Sequence, residues 1–550
     1  MVFALTAPPT DLYPAVLVGL ALLAASIGLD APSAKRAFGR GAAWGTAAGL
    51  VGLRFVPAVI QRFTPLGSAA SYLALLLLAA AQSLLWAAAA ATTVLLQRRA
   101  RMPFPLAFAA GVLLAVSLPA IFVWTPAGLI SPWPSFVQLA DLIGERGVSA
   151  LLAFTAALLA QAALALAGRS PQGVPLPPPA EPARLLRHAV LRHPALRPAL
   201  VAIAILVALP IHGKLRIQSI EQASAALPAM RVGLVDHVVP PLERWDPKNH
   251  APILASLRAL SRASEDQGAE LTIWPEAAYP YSVDHEARRA PTGAFSIVGR
   301  MVRGPILAGL ITRDKPIMIA PGRVEQNSFN SAMLVMPDGS MSAPADKLEL
   351  LWFGEMVPGG TYLPWLRRLF QKSGGLIPGA EPRALTLPRA EGPALRMGVL
   401  NCYEDTLAGV GRALSSALAP NLLVNITNDA WFYDTAESEL HARLGAMRAI
   451  ELRLDVVRAV NLGVTSWVDA AGVVRARYAE KKPDVLMATP AVREGSRTIY
   501  ARAGDVPAWL FLIAAIGLYA RKRVPPAPDG DGPGATARRS PEGDLSSADP

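Results

Sequence analysis

Long apolar runs fill the first part of the chain and then give way to short ones. Hydrophobic residues dominate 11–29, 42–60, 68–96, 104–123, 148–166 and 199–211, and again 506–520. These approach or exceed the roughly 20 residues that a helix needs to cross a bilayer, so the pattern predicts seven spans. Residues 199–211 and 506–520 are the short ones, and each also reads as a buried or interfacial helix. Beyond residue 230 the runs shrink and are punctuated by turn residues, the signature of strands. RVGLVD, LTIWPEA, PILAGLIT, SAMLVM, LRMGVLNC, NLLVNITN and VTSWVDAAG predict strands. HAPILASLRALSRASEDQG and ESELHARLGAMRAIELRL, with apolar residues three and four apart, predict helices. Strands alternating with helices predict an α/β layered domain. The expected organisation is a helical membrane domain over 1–213, an α/β domain over 214–505, a last membrane helix over 506–523 and a disordered Pro-, Gly- and Ser-rich tail over 524–550.

Composition agrees with this division, since 52% of the 550 residues are hydrophobic and the mean hydropathy is +0.35, high for a soluble protein. Charge then supplies an orientation. Lys35, Arg36 and Arg40 follow the first run, Arg98, Arg99 and Arg101 the third, and Arg521, Lys522 and Arg523 the last. The stretch GRSPQGVPLPPPAEPARLLRHAVLRHPALR, between the fifth and sixth runs, is rich in arginine. With seven spans all four clusters fall on one side, and short basic loops mark the cytoplasm. The N-terminus and the α/β domain are then expected outside it. Much of the formal charge of +11 lies in these basic clusters. Without a zinc-finger spacing, RNA-binding aromatics or a basic stripe, no nucleic-acid partner is expected. Seven scattered histidines and no phosphate-cradling glycine loop predict neither a metal nor a cofactor. No basic region precedes the first apolar run, so no cleavable leader is expected.

Three stretches of the α/β domain carry polar residues where a buried strand end would not ordinarily keep them. WPEAAYP places Glu276 after a strand, DKLELLWFGEMVP contains Lys347 and Glu355, and LRMGVLNCYED ends in Cys402, Tyr403, Glu404 and Asp405. Cys402 is the only cysteine, so its value lies in packing or in reactivity. Taken singly, the thiol reads as a small buried hydrophobe, the glutamates as caps and the lysine as surface. Together they supply one mechanism, because a thiol with an ordinary pKa of about 8.5 needs a base or a cation to become a nucleophile. Glu276 is the candidate base. Lys347 and the Tyr403 N–H are candidate donors to an oxyanion, and Glu355 is a candidate to orient Lys347 or Glu276.

Glu, Lys and Cys in these contexts resemble the nitrilase, or carbon-nitrogen hydrolase, superfamily, which implies a Glu-Lys-Cys triad on an αββα sandwich. The closer resemblance is to the bacterial apolipoprotein N-acyltransferase family. It is carried also by NITNDAWF, by AMRAIELRLDVVRAVNLGVTSWVDAAG, by Trp245 in ERWD, by IYARAGDVPAW and by SPWPSFVQLADLIGERGVSALLAF. Glu404 matches a family position expected to matter for the site, whereas Asp405 matches none and reads as a cap. FALTAPPTDLYPAVL looks like the exit of the family's first helix, so that helix is expected either to be absent or to lie upstream of the assigned start. After Lys347 the family tends to have Asn or His and then Pro, where this chain has Leu348, Glu349 and Trp352.

The resemblance implies a multi-pass protein of the bacterial inner membrane with its catalytic domain on the periplasmic side. It implies ping-pong transfer of an acyl chain from a phospholipid, through a Cys402 thioester, to the amine of a diacylglyceryl-cysteine lipoprotein. Trp352, Phe353, Trp365, Leu366 and Phe370 are candidates for lipid access, and equally for ordinary core. A membrane-anchored amidase, an acyltransferase with another amine acceptor and a catalytically inactive scaffold remain the alternatives.

Overall fold

The apolar runs become helices, and their ends depart from the sequence pattern in ways that local chemistry explains. The computed structural model describes residues 1–550 other than 31, 171–192, 321–322, 360–361, 364, 366–367, 369–374, 495–497 and 522–550. The expected tail, Lys522, Arg523, Leu366, Phe370 and much of the arginine-rich loop therefore lie outside the described residues.

The main helices of the first part are α1 (Ala15–Gly28), α2 (Ala34–Gly52), α3 (Val56–Phe63), α4 (Ser68–Arg99), α5 (Phe104–Ser117), α6 (Ala140–Leu166) and α7 (Leu196–Ala225). Seven spans were expected, two of them short. Among the described residues three helices, α4, α6 and α7, are long and apolar enough to cross a membrane, or four if α2 and α3 count as one bent span. That pair bends by 59°. Pro57, in the first turn of α3, has no N–H to continue the preceding ladder, so a new helix starts there. The second helix begins at Ala34, capped by Ser33, whose hydroxyl accepts the Arg36 N–H at 3.3 Å. Lys35, Arg36 and Arg40 thus ride on a helix instead of a loop. Arg98 donates to Pro32 O at 3.0 Å, which brings the first two basic clusters to one end of the bundle. Gly41, Gly45 and Gly49, spaced four apart, bring α2 against α4, the small-residue packing of helices in lipid. A Cβ at Gly41 would stand 2.4 Å from Trp86 O.

The run at 199–211 was expected to end before Lys214. Instead α7 passes through Pro210 to Ala225, with Gly213 set tightly against Ser135 and Arg216 donating to Asp141 at 3.1 Å. The α/β domain consequently begins between Ala225 and Val232, not at 214.

That domain holds two face-to-face sheets and a separate antiparallel pair, β5 (Ile317–Ala320) and β6 (Arg323–Glu325). In the first, β15 (Asp484–Ala488), β1 (Val232–Asp236), β2 (Leu271–Ile273), β4 (Ile306–Arg313), β7 (Ser328–Val335) and β8 (Ala345–Asp346) lie side by side, with β3 (Ser282–Asp284) also on β4. In the second the order is β14 (Val474–Tyr478), β13 (Thr465–Val468), β12 (Val456–Asn461), β11 (Leu422–Asn428), β10 (Leu395–Asn401) and β9 (Ala384–Leu387). β1, β2 and β4 are parallel, as are β10, β11 and β12. Their inner faces meet in one core, where Leu234, Ile273 and Leu307 pack with Met397, Val424 and Val457. Helix α8 (His250–Asp266) covers the outer face of the first sheet through Leu254 and Leu257. α9 (Ala408–Leu418) and α10 (Glu437–Leu452) cover the second. The result is an αββα sandwich, and α11 (Val506–Arg521) follows it.

Helix α10 also faces the membrane domain. Leu440, Leu444, Met447 and Ile450 join the core built by α1, α5 and α6. Inside α6 the backbone leaves helical geometry at Gly144, where φ is 71°; a Cβ there would stand 2.4 Å from the Tyr500 ring. The break frees the Glu145 N–H, which donates to Glu451 Oε1 at 2.7 Å. Arg448, fully buried, places Nη2 2.6 Å from Glu145 Oε2. Its Nε lies 2.8 Å from Glu451 Oε2, an ion pair too far off line to count as a hydrogen bond. Arg453 completes the seam on Asp141 at 2.9 Å and Gln138 Oε1 at 2.8 Å.

Removing one partner of such a buried cluster leaves charge without compensation, at a cost of about 3–5 kcal/mol. Arg448→Met should therefore lower the melting temperature of the detergent-solubilised protein by several degrees. An unchanged Tm would show that the seam does not hold the two parts together.

Candidate active site

Each of the three polar stretches sits at the C-terminal end of a strand, or immediately after one, and all open into one cavity of about 680 Å³. Glu276 follows β2 in a loop that returns over Gly309, whose missing side chain admits the Pro275 carbonyl: a Cβ there would stand 2.1 Å from it. Lys347 follows β8, where its N–H donates to Asn330 O at 2.8 Å. Cys402 follows β10 and opens a short 3-10 turn, Cys402–Thr406. Its φ of 56° is uncommon for a residue with a side chain and is a form of strain that collects at functional sites.

Lys347 is 1% exposed and lies between two carboxylates, 3.1 Å from Glu276 Oε1 and 2.7 Å from Glu355 Oε2. Burial opposes its charge, but Glu276 and Glu355 outweigh that and hold its pKa well above the usual lysine value. Both carboxylates are tied further. Asn330 Nδ2 donates to Glu276 Oε1 at 2.7 Å and to Glu355 Oε1 at 3.0 Å. The Asn428 N–H reaches Glu276 Oε2 at 2.9 Å, and the Leu351 N–H reaches Glu355 Oε2 at 2.9 Å. Burial pushes the Cys402 thiol well above its ordinary pKa, Glu276 adds to this, and Lys347 opposes it. Cys402 therefore rests as a thiol.

Glu404 spans the two sides of the site. Its Oε1 accepts the N–H groups of Leu348 and Glu349 at 2.7 and 2.9 Å, and its Oε2 accepts that of Asn401 at 2.7 Å. It thereby pins the Lys347 loop to the Cys402 turn, although burial still raises it to about 7. The Tyr403 hydroxyl donates to Leu350 O at 3.1 Å, and its ring lies 5.6 Å from Lys347 Nζ. Trp245 is exposed on the cavity rim. Trp352 and Trp365 are exposed too, though neither lines the cavity among the described residues.

Asp405 is not a simple cap. Its Oδ2 accepts from Arg458 at 2.5 Å and its Oδ1 lies 3.0 Å from His441 Nε2. His441 Nδ1 lies 3.0 Å from Asp429 Oδ1, and Arg458 Nη2 donates to Asp429 Oδ2 at 3.2 Å. Burial and Arg458 disfavour a charged imidazole, but Asp405 and Asp429 prevail and raise His441 to about 9. Both ring nitrogens then donate to carboxylates, and Arg458 Nη2, 3.0 Å from Nδ1, is a neighbour in the cluster and not a donor to the ring. Arg458 also holds Asn425 Oδ1 at 2.8 Å, and Asn425 Nδ2 donates to Cys402 O at 2.9 Å. This buried quartet supports the Cys402 turn from behind. Asn330, Asn425, His441 and Arg458 were not singled out from the sequence, since each acts across strands distant in the chain.

The membrane part reaches the site through the loop after β11. Arg62 of α3 donates to Trp431 O at 3.2 Å and to Tyr433 O at 3.1 Å. The Phe63 and Trp431 rings stand 4.2 Å apart, and those of Phe55 and Phe432 5.5 Å. Trp431 and Phe432 line the cavity, and Asn428, at the start of the same loop, is the donor to Glu276.

Comparison with known proteins divides the chain in the same way. Residues 240–496 match the family described as carbon-nitrogen hydrolase, and residues 1–158 match the apolipoprotein N-acyltransferase N-terminal domain. The apolipoprotein N-acyltransferase of Geobacter metallireducens is 29% identical over 424 residues, 74% of this chain and 73% of its own. That of Bradyrhizobium diazoefficiens is 33% identical over 364 residues, 63% of each chain. That of Rhodopseudomonas palustris is 28% identical over 436 residues, covering 75% and 74%. Among solved structures, a mutant of a Nesterenkonia AN1 amidase from the nitrilase superfamily aligns at 18% identity and a TM-score of 0.33, over 52% of this chain and 98% of its own.

The buried quartet gives stability a pH dependence of defined sign. A histidine raised from 6.5 to about 9 contributes stability that is complete below pH 6.5 and is lost as pH rises through about 9. Glu437, which burial raises to about 8, adds a slope of the same sign. The Tm in detergent should thus fall between pH 6.5 and 9, and His441→Gln should flatten that fall. A wild-type Tm that rises across this window would contradict a charged His441.

Proposed function

This chain belongs to the apolipoprotein N-acyltransferase family of the nitrilase superfamily, and from that premise we propose that Glu276, Lys347 and Cys402 transfer an acyl chain from a membrane phospholipid to the N-terminal amine of a diacylglyceryl-cysteine lipoprotein. The observation that carries the assignment is the convergence of a buried thiol, a carboxylate and a doubly paired ammonium on one cavity.

The Cys402 thiol passes its proton to Glu276 as sulfur attacks the ester carbonyl of the donor, because burial disfavours a preformed thiolate. Negative charge moves to the carbonyl oxygen. Lys347 has three N–H donors; two meet Glu276 and Glu355, and the third is left for the oxyanion. The Tyr403 N–H, at the open start of the 3-10 turn, is the second oxyanion donor. Collapse expels a lysophospholipid whose oxygen takes the proton back from Glu276, leaving a thioester on Cys402. The lipoprotein amine then attacks, loses its proton to Glu276, and forms the amide as the thiol is restored. Glu355 and Asn330 hold Lys347 and Glu276 in register, and Glu404 fixes the two loops that carry nucleophile and lysine.

The α/β domain stands on the periplasmic side of the inner membrane in this reading, and the site faces the outer leaflet from which the donor comes. The meeting of the basic clusters at one end of the bundle and the contacts of α3 with the α/β domain support that placement.

Incubation of the detergent-solubilised protein with acyl-labelled phospholipid should label Cys402 through a hydroxylamine-sensitive thioester, and a diacylated lipopeptide should then take the label onto its amine. Cys402→Ser should abolish labelling. Lys347→Met should slow it by roughly 10²–10³-fold, the usual loss for one oxyanion donor. Label on the Cys402→Ser protein would sink the nucleophile assignment, and release to water alone would make the enzyme a hydrolase of the amidase type.

A further inference from the structure

The cavity contains charges that acyl transfer, as described, leaves unused. Lys347 is matched by Glu276 and Glu355. Arg244, on the same wall, is matched by nothing comparable. Among the described residues it makes no ion pair. Its Nη2 reaches only Tyr279 O at 3.4 Å, and its Nε is buried without a partner. The guanidinium carbon lies 5.8 Å from the ring of Trp245 on the rim. Burial lowers Arg244 to about 10, with Glu276 opposing, so it stays cationic at neutral pH. Arg313, exposed at the end of β4, lines the same cavity and also has no acidic partner among the described residues.

A guanidinium held against a ring with an unmet N–H is costly unless something arrives to meet it. Its planar fork suits an anion with two oxygens, a carboxylate or a phosphate, and binds it more strongly than a neutral acceptor. The acceptor brings an amine to this cavity, which an arginine repels. The donor brings one anion, the phosphodiester that stays with the lysophospholipid after its ester is cleaved.

We propose that Arg244, backed by Arg313, receives the phosphodiester of the acyl donor and makes the enzyme selective for phospholipids over neutral glycerides. The assignment rests on the acyl-transfer reading above and adds to it the chemical group by which the donor is recognised. Arg244 acts in the first half-reaction, when the donor's ester lies at Cys402, and has no partner in the second.

The test uses the full-length protein in detergent with two labelled donors carrying the same palmitoyl chains, dipalmitoyl phosphatidylglycerol and dipalmitoylglycerol. The readout is the ratio of kcat/KM values for thioester formation on Cys402, which is independent of the fraction of folded protein. Arg244→Gln should cut that phospholipid preference by roughly 10- to 100-fold, mostly through KM, the scale of one charge-assisted hydrogen-bonded contact. Arg244→Lys should restore part of it, as a point charge without the fork. Arg313→Gln should cut it by a smaller factor. An unchanged ratio in Arg244→Gln overturns the proposal while leaving acyl transfer standing. So does a loss confined to transfer from the preformed thioester to the lipopeptide. A wild-type enzyme that forms no thioester from either donor overturns the acyl-transfer reading, and this assignment with it.

Discussion

The ammonium of Lys347 sets the terms for everything around it. An amine at 1% exposure is tolerable only if opposite charge is fixed beside it and the remaining polar atoms are satisfied. Glu276 and Glu355 provide the charge, and Asn330 spans both carboxylates. Asn330 belongs to β7, Glu276 follows β2, and Lys347 follows β8, so one sheet presents the whole constellation. The other sheet delivers Cys402, and Asn401 beside it donates to Asn330 Oδ1 at 3.2 Å. The proposed nucleophile and base therefore lie on the seam between the two sheets, where movement of either sheet would separate them.

Much of this was legible in the sequence for a specific reason. Glu276, Lys347, Glu355, Cys402 and Glu404 each occupy a short, unusual context in which a polar residue interrupts an apolar strand end. Their neighbours were not legible. Asn330 looks like an ordinary polar residue in SFNSAMLV, and Arg458 lies in the apolar strand VVRAVN. What makes them matter is a contact across strands far apart in the chain, which no local window contains. Asp405 shows the same limit from the other direction: beside Glu404 it resembled a cap, and its partners, His441 and Arg458, come from a helix and a strand much later in the chain. Strands β1, β2, β4, β7, β10, β11 and β13 and helices α8 and α10 were read from the sequence because period 2 and period 3.6 are local properties, whereas β12 and α9 were not. Helix ends were read less well, since Pro57 starts a new helix while Pro210 is carried through one.

The loop after β11 answers to two masters. One end supplies the N–H that holds Glu276, and its middle supplies Trp431 and Phe432 to the cavity wall. Its carbonyls are held by Arg62, and its aromatic rings by Phe55 and Phe63, all from the bent α2–α3 pair. The bend at Pro57 thus does more than shorten a span. It turns the chain so that Arg62 grips backbone that borders the cavity, and the placement of Glu276, the proposed base, is tied to how α3 sits.

The seam at Gly144 has a consequence for how the two parts of the chain can be exchanged. Arg448 on the α/β domain is matched by Glu145 on a membrane helix, and the Glu145 amide is matched by Glu451. The match exists only because Gly144 leaves that amide free. An α/β domain set on helices without that break would lose the Glu145 amide as a donor to Glu451. The helical portion is therefore part of the protein's charged interior and more than a tether for the α/β domain.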